Sequence, residues 1–107
     1  MQSRLRENEV DMSRQVVFKF RLYVAGAAAN SAEALANLTA LCREHLPQRH
    51  EIELIDVFKE PERALTDGIY MTPTLVKLSP VPVCRVVGTL SEPLAVLRAL
   101  GIEARVA

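Results

Sequence analysis

Two cysteines and two histidines are the first candidates for covalent or metal chemistry in this sequence. Cys42 and Cys84 do not form a C-x-x-C pair, and both stand among apolar residues. Two cysteines are also too few for the disulfide framework of a small secreted domain. We therefore predict two buried thiols in a protein of the cytoplasm, where thiols stay reduced.

The two histidines, His45 and His50, flank the predicted end of a helix. A zinc site needs three or four converging ligands. The spacing of the histidines with Cys42 and Glu44 matches no known ligand pattern. We expect both imidazoles to be solvated at the surface, and the sequence predicts no metal site.

Asp56 ends a predicted strand, where acids often act in catalysis. No base, nucleophile or metal cluster accompanies it, so we expect this carboxylate to cap a loop. Gly26 lies in a strand-to-helix turn, but no glycine-rich phosphate-binding motif follows it. The sequence therefore predicts no catalytic residue and no cofactor.

Composition excludes several classes of function. The 107 residues carry 13 Lys plus Arg and 13 Asp plus Glu, a formal net charge of zero, which argues against a nucleic-acid surface. No apolar run is long enough to cross a membrane, and we expect no secretory signal. With 50% hydrophobic residues, the chain predicts one globular domain over residues 16–107 behind a flexible leader at residues 1–15. Zero net charge is also permissive for self-association.

Hydrophobic periodicity predicts a parallel β-α-β unit in the first half of the chain. Strands are expected over residues 17–24 and 51–58. The helix between them is expected to begin at an Asn30 N-cap, with Glu33 completing a capping box, and to end before Pro47. The supporting apolar positions are Phe18, Phe20, Leu22 and Val24 in the first strand, Leu35, Leu38, Leu41, Cys42 and Leu46 in the helix, and Ile52, Leu54, Ile55 and Val57 on both faces of the second strand.

The second half predicts a short helix, a β-hairpin and a final helix. Pro61 fits the first turn of the short helix, and Asp67-Gly68 its end. Thr72-Pro73 opens a third strand, and a short connection implies an antiparallel fourth strand over residues 83–87. The last helix is predicted to have Ser91 as its cap, Pro93 in its first turn, a stripe of Leu94, Leu97 and Leu100, and a stop at Gly101.

The resulting order, β-α-β-α-β-β-α with a mixed four-stranded sheet, is the α/β arrangement of thioredoxin. In that fold a proline that is usually cis opens the third strand, and Thr72-Pro73 stands at this place. Thioredoxin chemistry needs a thiolate at the start of the first helix. Residues 27–31 contain no cysteine there. The fold therefore predicts a binding protein rather than a disulfide oxidoreductase.

A series of short motifs runs through roughly residues 18–100. They are Leu22-Tyr23-Val24-Ala25-Gly26, Asn30-Ser31, Ala34-Leu35, Leu38, Ile55-Asp56-Val57, Lys59, Pro61, Asp67, Ile69, Thr72-Pro73-Thr74-Leu75, Lys77, Pro80, Pro82-Val83, Arg85, Gly88, Leu90-Ser91 and Val96-Leu97. In order and spacing this series resembles the KaiB family of bacterial circadian clock proteins.

The resemblance implies a protein without enzymatic activity. Members bind the ring-shaped ATPase KaiC, sequester KaiA and compete with the histidine kinase SasA, whose sensor domain is itself KaiB-like. They also switch between a tetramer with a rearranged C-terminal half and a monomeric, thioredoxin-like state that binds partners. We therefore expect a KaiC-type ATPase as partner, with a KaiA-like protein or histidine kinase, or a dimer or tetramer of the chain, as further candidates.

Two groups of residues are expected to carry this behaviour. Prolines can adopt different isomers or turns, glycine permits unusual dihedrals, and two packings need differ by only a few kcal/mol. The local patterns of residues 83–87 and 91–101 favour the thioredoxin-like state over the tetrameric one. The expected structural and fold-switch residues are Gly26, Asn30, Asp56, Thr72, Pro73 and Gly88, and the expected partner-binding residues are Lys59, Lys77 and Arg85.

The chain departs from the family pattern at four places. Ala27-Ala28-Ala29 replaces Asn-Thr-Pro, Glu33 and Cys84 replace arginines, and Thr89 stands where Asp is frequent. Because positive charge is lost, a divergent paralogue in stress or two-component signalling without a KaiC partner is an alternative. A thioredoxin-like redox or chaperone protein is another, since the order of elements and the two thiols favour it.

Overall fold

The computed structural model describes residues 16–103, which form seven elements in the predicted order. The predicted leader at residues 1–15 lies outside the described residues. Within the described part, no helix is long and apolar enough to span a membrane. The strands are β1 (Phe18–Val24), β2 (His50–Asp56), β3 (Thr74–Ser79) and β4 (Cys84–Val87), and the helices are α1 (Ala29–His45), α2 (Pro61–Thr66) and α3 (Pro93–Leu100).

The four strands form one mixed sheet in the order β2-β1-β3-β4. β1 and β2 are parallel, as the crossover through α1 requires, with Leu22 opposite Leu54. β3 is antiparallel to both β1 and β4, with Leu22 opposite Leu75 and Leu75 opposite Val86. The predicted thioredoxin-like topology is confirmed.

The larger core lies on the sheet face covered by α1 and α3. Alternation along β1 sends Phe20, Leu22 and Val24 into this core, as predicted. The predicted α1 stripe is buried there too, apart from the half-buried Leu35. The buried members of this cluster are Phe20, Leu22, Val24, Ala34, Leu38, Leu41, Cys42, Leu46, Leu75, Leu90, Val96, Leu97, Leu100 and Ile102.

The opposite sheet face has a smaller core beneath the short helix α2. Tyr23, Ile55 and Val76 project from three strands and pack with Ala64 and Ile69. Leu54 remains 48% exposed, because β2 is an edge strand. The expectation that both faces of β2 are covered therefore holds only in part.

Neither predicted side-chain cap forms. Helix α1 begins at Ala29, so Asn30 lies inside its first turn, and Ala28 at the N-cap makes no side-chain hydrogen bond. Helix α3 has Glu92 at its N-cap, also without a side-chain bond, so Ser91 is not its cap. The predicted C-terminal stop is correct: Gly101 adopts a left-handed conformation with φ of 70°, which glycine tolerates without a Cβ clash.

Three predicted exposures differ from the structure. His45 is buried, and His50 is half-buried with Nδ1 2.7 Å from the Leu46 carbonyl oxygen, so neither is a freely solvated imidazole. Cys84 is only partly buried, unlike Cys42. Leu94 is 68% exposed, and Val96 takes its place in the core.

Candidate functional site

The turn after β1 is held by the carboxylate of Asp56. Its Oδ1 accepts hydrogen bonds from the backbone N–H of Gly26 at 3.1 Å and of Phe58 at 2.9 Å. Gly26 has φ of 58°, and a Cβ at this position would lie 3.3 Å from the Phe58 ring. Asp56 therefore caps a loop, as predicted, and it joins the ends of β1 and β2.

The start of α1 carries no thiol. Ala27, Ala28, Ala29 and Asn30 are exposed there. Ser31 is buried instead, and its Oγ accepts a hydrogen bond from the N–H of Ala25 at 3.2 Å. The place where thioredoxin chemistry needs a thiolate thus presents methyl groups and an amide.

Both cysteines lie elsewhere and are free thiols. Burial raises the pKa of the Cys42 thiol to about 12, because the interior disfavours the charged thiolate. Cys84 lies in β4 opposite Lys77. Within residues 16–103, no three or more His, Cys, Asp or Glu side chains cluster to hold a metal ion.

The opening of β3 is tied to the end of β4. The Thr72-Pro73 peptide bond is cis, as predicted, and the Ser79-Pro80 and Val81-Pro82 bonds are also cis. The buried Pro73 accepts a hydrogen bond from the N–H of Gly88 at 2.9 Å through its carbonyl. Gly88 has φ of 116°, a conformation that side-chain-bearing residues rarely adopt.

An ion-pair network covers the α2 side of the sheet. Arg63 donates to both carboxylate oxygens of Glu53, at 2.9 and 3.1 Å, and Arg21 Nε donates to Glu53 at 3.1 Å. Hydrogen bonds from Arg63 and then Arg21 lower the pKa of Glu53 below its ordinary value. Arg63 also donates to Glu60 at 3.2 Å.

Asp67, just beyond α2, joins this network to the second half of the chain. Its carboxylate accepts hydrogen bonds from the Tyr23 hydroxyl and, at 3.3 Å, from Arg21 Nη1. Arg85 in β4 donates to the backbone carbonyls of Asp67 and Gly68, the latter at 3.0 Å. The end of α2 is therefore pinned from both β1 and β4.

The three predicted partner-binding residues do not share one surface. Lys59 is exposed in the turn after β2, and Arg85 is exposed on β4. Lys77 is only 4% exposed, with Nζ 3.0 Å from the Leu100 carbonyl oxygen and 5.9 Å from the Phe18 ring centroid. In this structure Lys77 is therefore a core residue that anchors the end of α3.

One edge of the sheet carries three exposed large apolar side chains. We call the edge at which β1 and β2 end and β3 begins the carboxyl edge, since the parallel strands place their ends together there. Phe58, Tyr70 and Met71 are exposed at this edge, by 74%, 90% and 63%. Sequence reasoning missed them, although Tyr70-Met71 stands between two predicted elements and so had no core position assigned to it.

The chain is similar in sequence to one family of known proteins. The family model described as the KaiB domain matches residues 21–102. The "Circadian clock protein KaiB3" of Synechocystis sp. is 40% identical over 93 residues, which cover 87% of this chain and 88% of that protein. The "Circadian clock oscillator protein KaiB" of Synechococcus elongatus is 38% identical over 91 residues, 85% of this chain and 89% of that protein.

Solved structures show the fold. The N-terminal domain of Synechococcus elongatus SasA has a TM-score of 0.65 at 19% identity and covers 86% of this chain and 90% of that chain. Mitochondrial thioredoxin 3 from Saccharomyces cerevisiae has a TM-score of 0.63 at 18% identity, over 86% of this chain and 82% of that chain. The chain has a thioredoxin-like sheet without the thioredoxin thiol, and the family model matches most of the described residues. The chain therefore belongs to the KaiB family.

Proposed function

We propose that this chain is a non-enzymatic adaptor of a circadian clock or clock-like system, and that it binds a KaiC-type ATPase ring in the cytoplasm. The observation that carries the proposal is the KaiB domain match over residues 21–102. Two of the relatives are named as a circadian clock protein and a circadian clock oscillator protein. A KaiA-like protein and a histidine kinase are the further partners to test.

The chemistry of the candidate site favours binding over catalysis. The start of α1 has no thiol, and the raised pKa of Cys42 keeps that buried group protonated at neutral pH. The carboxyl edge instead presents Phe58 and the cation of Lys59 beside each other in the chain. Exposed aromatic side chains with a nearby positive charge are frequent anchors of protein interfaces.

Size-exclusion chromatography of the full chain with a KaiC-type ATPase, in ATP and in ADP, tests the proposal. We expect co-elution in one nucleotide state at least. The charge reversal Lys59→Glu is expected to weaken the complex about tenfold, equivalent to about 1.4 kcal/mol. The matched control is Lys19→Glu, an exposed lysine at the opposite end of β1. Absence of co-elution in both nucleotide states would remove the ATPase from the proposal.

The proposal includes a rearrangement of the C-terminal half. Polar side-chain bonds join this half to the rest, from Arg85 to the Asp67 and Gly68 carbonyls and from Asn37 Nδ2 to the Thr89 carbonyl at 2.8 Å. The β1–β3 ladder and the larger core also join the two halves, so a second packing, which needs to differ by only a few kcal/mol, must replace those contacts. Leu90, at φ of 62°, adds a strained backbone position in this state.

NMR secondary shifts over residues 83–100 test the rearrangement. A strand followed by a helix is the state described here. A second set of signals, with helix followed by strand, is expected for the other state, and sedimentation should show whether that state is a dimer or tetramer. A single monomeric strand-then-helix species under all conditions, including high protein concentration, would contradict the rearrangement.

A divergent paralogue in stress or two-component signalling is the second candidate. Two departures from the family pattern, Ala27-Ala28-Ala29 and Glu33, lie exposed at the start of α1, so the surface itself differs from the pattern. Binding to the sensor domain of a histidine kinase, in the absence of any complex with an ATPase ring, would favour this candidate.

A redox or chaperone role is the weakest of the three. Insulin reduction by the wild-type chain, lost in the Cys42→Ser, Cys84→Ser double variant, would overturn the adaptor proposal. We expect no reduction from either protein, because a thiolate at the start of α1 is missing.

A further inference from the structure

A pocket of about 250 Å³ opens between the β3–β4 connection and the end of α3. Its walls are mostly apolar and come from Phe18 of β1, the connection from Pro80 to Pro82, and Leu100 of α3. Two basic side chains, Lys77 and Arg98, also line it. A small apolar space with a few polar groups is the usual form of a site for a small molecule.

Lys77 is the unusual member of this pocket. The residue is only 4% exposed. Its ammonium has three N–H donors. One donor bonds to the Leu100 carbonyl oxygen at 3.0 Å. Within residues 16–103 no carboxylate pairs with it. Buried charges are normally paired, so this cation is short of a counter-charge.

The balance of charge in the pocket is positive. The end of α3 contributes the partial negative charge of a helix C-terminus, roughly half an elementary charge. Lys77 and Arg98 together contribute two full positive charges, and no acidic residue lines the space. The electrostatics therefore favour an anion, and the apolar walls favour one with a hydrocarbon body.

We propose that this pocket binds a small organic carboxylate, with its carboxylate group between Lys77 and Arg98 and its apolar body against Phe18 and the proline-rich connection. The unused donors of Lys77 and the guanidinium of Arg98 supply charge-assisted hydrogen bonds to the two oxygens. The site needs the thioredoxin-like fold and does not depend on the proposed binding of an ATPase ring. The two proposals can therefore fail separately.

Benzoate, with its neutral isostere benzamide, tests the site on the full chain by two-dimensional amide NMR. Benzoate should shift the amides of Lys77, Cys84, Leu100 and Gly101. It should bind about tenfold more tightly than benzamide, equivalent to about 1.4 kcal/mol, because only the carboxylate forms charge-assisted hydrogen bonds with the two cations. Equal binding of the two, or shifts spread over unrelated surfaces, would overturn the proposal.

The decisive variant is Arg98→Gln, because Arg98 is exposed and its replacement leaves the core intact. We expect it to weaken benzoate binding about three- to tenfold and to leave benzamide binding unchanged. Arg43→Gln is the matched control, since Arg43 is likewise an exposed arginine in the last turn of a helix, α1. Benzoate binding that is equally weakened in both variants, or in neither, contradicts the site. Secondary chemical shifts of the same sample must show residues 84–100 as strand then helix, the arrangement that forms the pocket walls. Benzoate binding by a chain with another arrangement would overturn the site.

Discussion

The hydroxyl of Tyr23 donates a hydrogen bond to the carboxylate of Asp67, 44 residues further along the chain. Tyr23 is fully buried in the middle of the sheet, and Asp67 is the C-cap of α2. A buried hydroxyl needs a partner, and this one is a charged acceptor. The bond therefore fixes the end of α2 over the smaller core.

Replacing Tyr23 tests how much that hydrogen bond contributes to the free energy of unfolding. Tyr23→Phe keeps the ring and removes the donor, so Asp67 retains only Arg21 as its side-chain partner. We expect the free energy of unfolding to fall by about 1.5 to 3 kcal/mol, the usual range for a hydrogen bond to a charged group. Urea denaturation measures it. Tyr70→Phe is the control, because Tyr70 is 90% exposed, and a loss as large in that variant would contradict the assignment.

The Asp56 carboxylate is predicted to stabilise the fold through a single oxygen. Because Oδ1 accepts from both Gly26 and Phe58, Asp56→Asn can keep both bonds with its amide oxygen, whereas Asp56→Ala loses both. We expect the alanine variant to lose about 2 kcal/mol of stability and the asparagine variant clearly less. Thermal or urea unfolding of the pair measures this, and equal losses would show that charge rather than bond acceptance matters.

The pKa of Glu53 is predicted to depend mainly on Arg63. Its pKa is lowered from 4.5 by hydrogen bonds from Arg63 and then Arg21, so the stabilisation is present above pH 4.5 and is lost as pH falls through the lower, folded-state pKa. Arg63→Gln should raise the pKa of Glu53 toward 4.5, and Arg21→Gln should raise it less. Carboxyl NMR titration measures both. Lys19→Gln, two residues before Arg21 and on the same face of β1, should leave it unchanged.

Cys42 is predicted to make stability fall at high pH. The pKa of the Cys42 thiol is about 12 in the folded state and 9.0 in the unfolded chain. Stability from this group is therefore complete below pH 9.0 and declines as pH rises toward 12. Unfolding midpoints of wild type and Cys42→Ala between pH 8 and 11 measure this. The wild-type curve should decline more steeply, and parallel curves would contradict the buried thiol as its cause.

The order of elements could be predicted because periodicity reports it directly. The alternation of Phe18 to Val24 and the stripe from Leu38 to Leu46 each settle one element and its buried face. His45 was also within reach. It follows Leu41 by four residues and Cys42 by three, which places it on the buried stripe of α1.

Helix starts and side-chain networks were beyond the sequence. Asn30 suits a cap by residue type, but α1 begins one residue earlier, at Ala29, which leaves Asn30 inside the first turn. The contact of Tyr23 with Asp67 needs the placement of α2 over β1. No local sequence pattern predicts that placement. The burial of Lys77 likewise depends on where α3 ends, because its Nζ bonds to the Leu100 carbonyl.

The sheet order has a consequence for how such chains can vary. Within the described residues, the β-α-β half and the hairpin half share one strand border, between β1 and β3. Along it, five positions of β1 from Lys19 to Tyr23 are paired with β3. A hairpin-and-helix segment from another family member would have to match this border, the larger core beneath α1, the smaller core beneath α2, and the bonds from Arg85 to the end of α2. Exchange of the hairpin half between relatives at the loop before Thr74 therefore requires matching residues on both faces of the sheet.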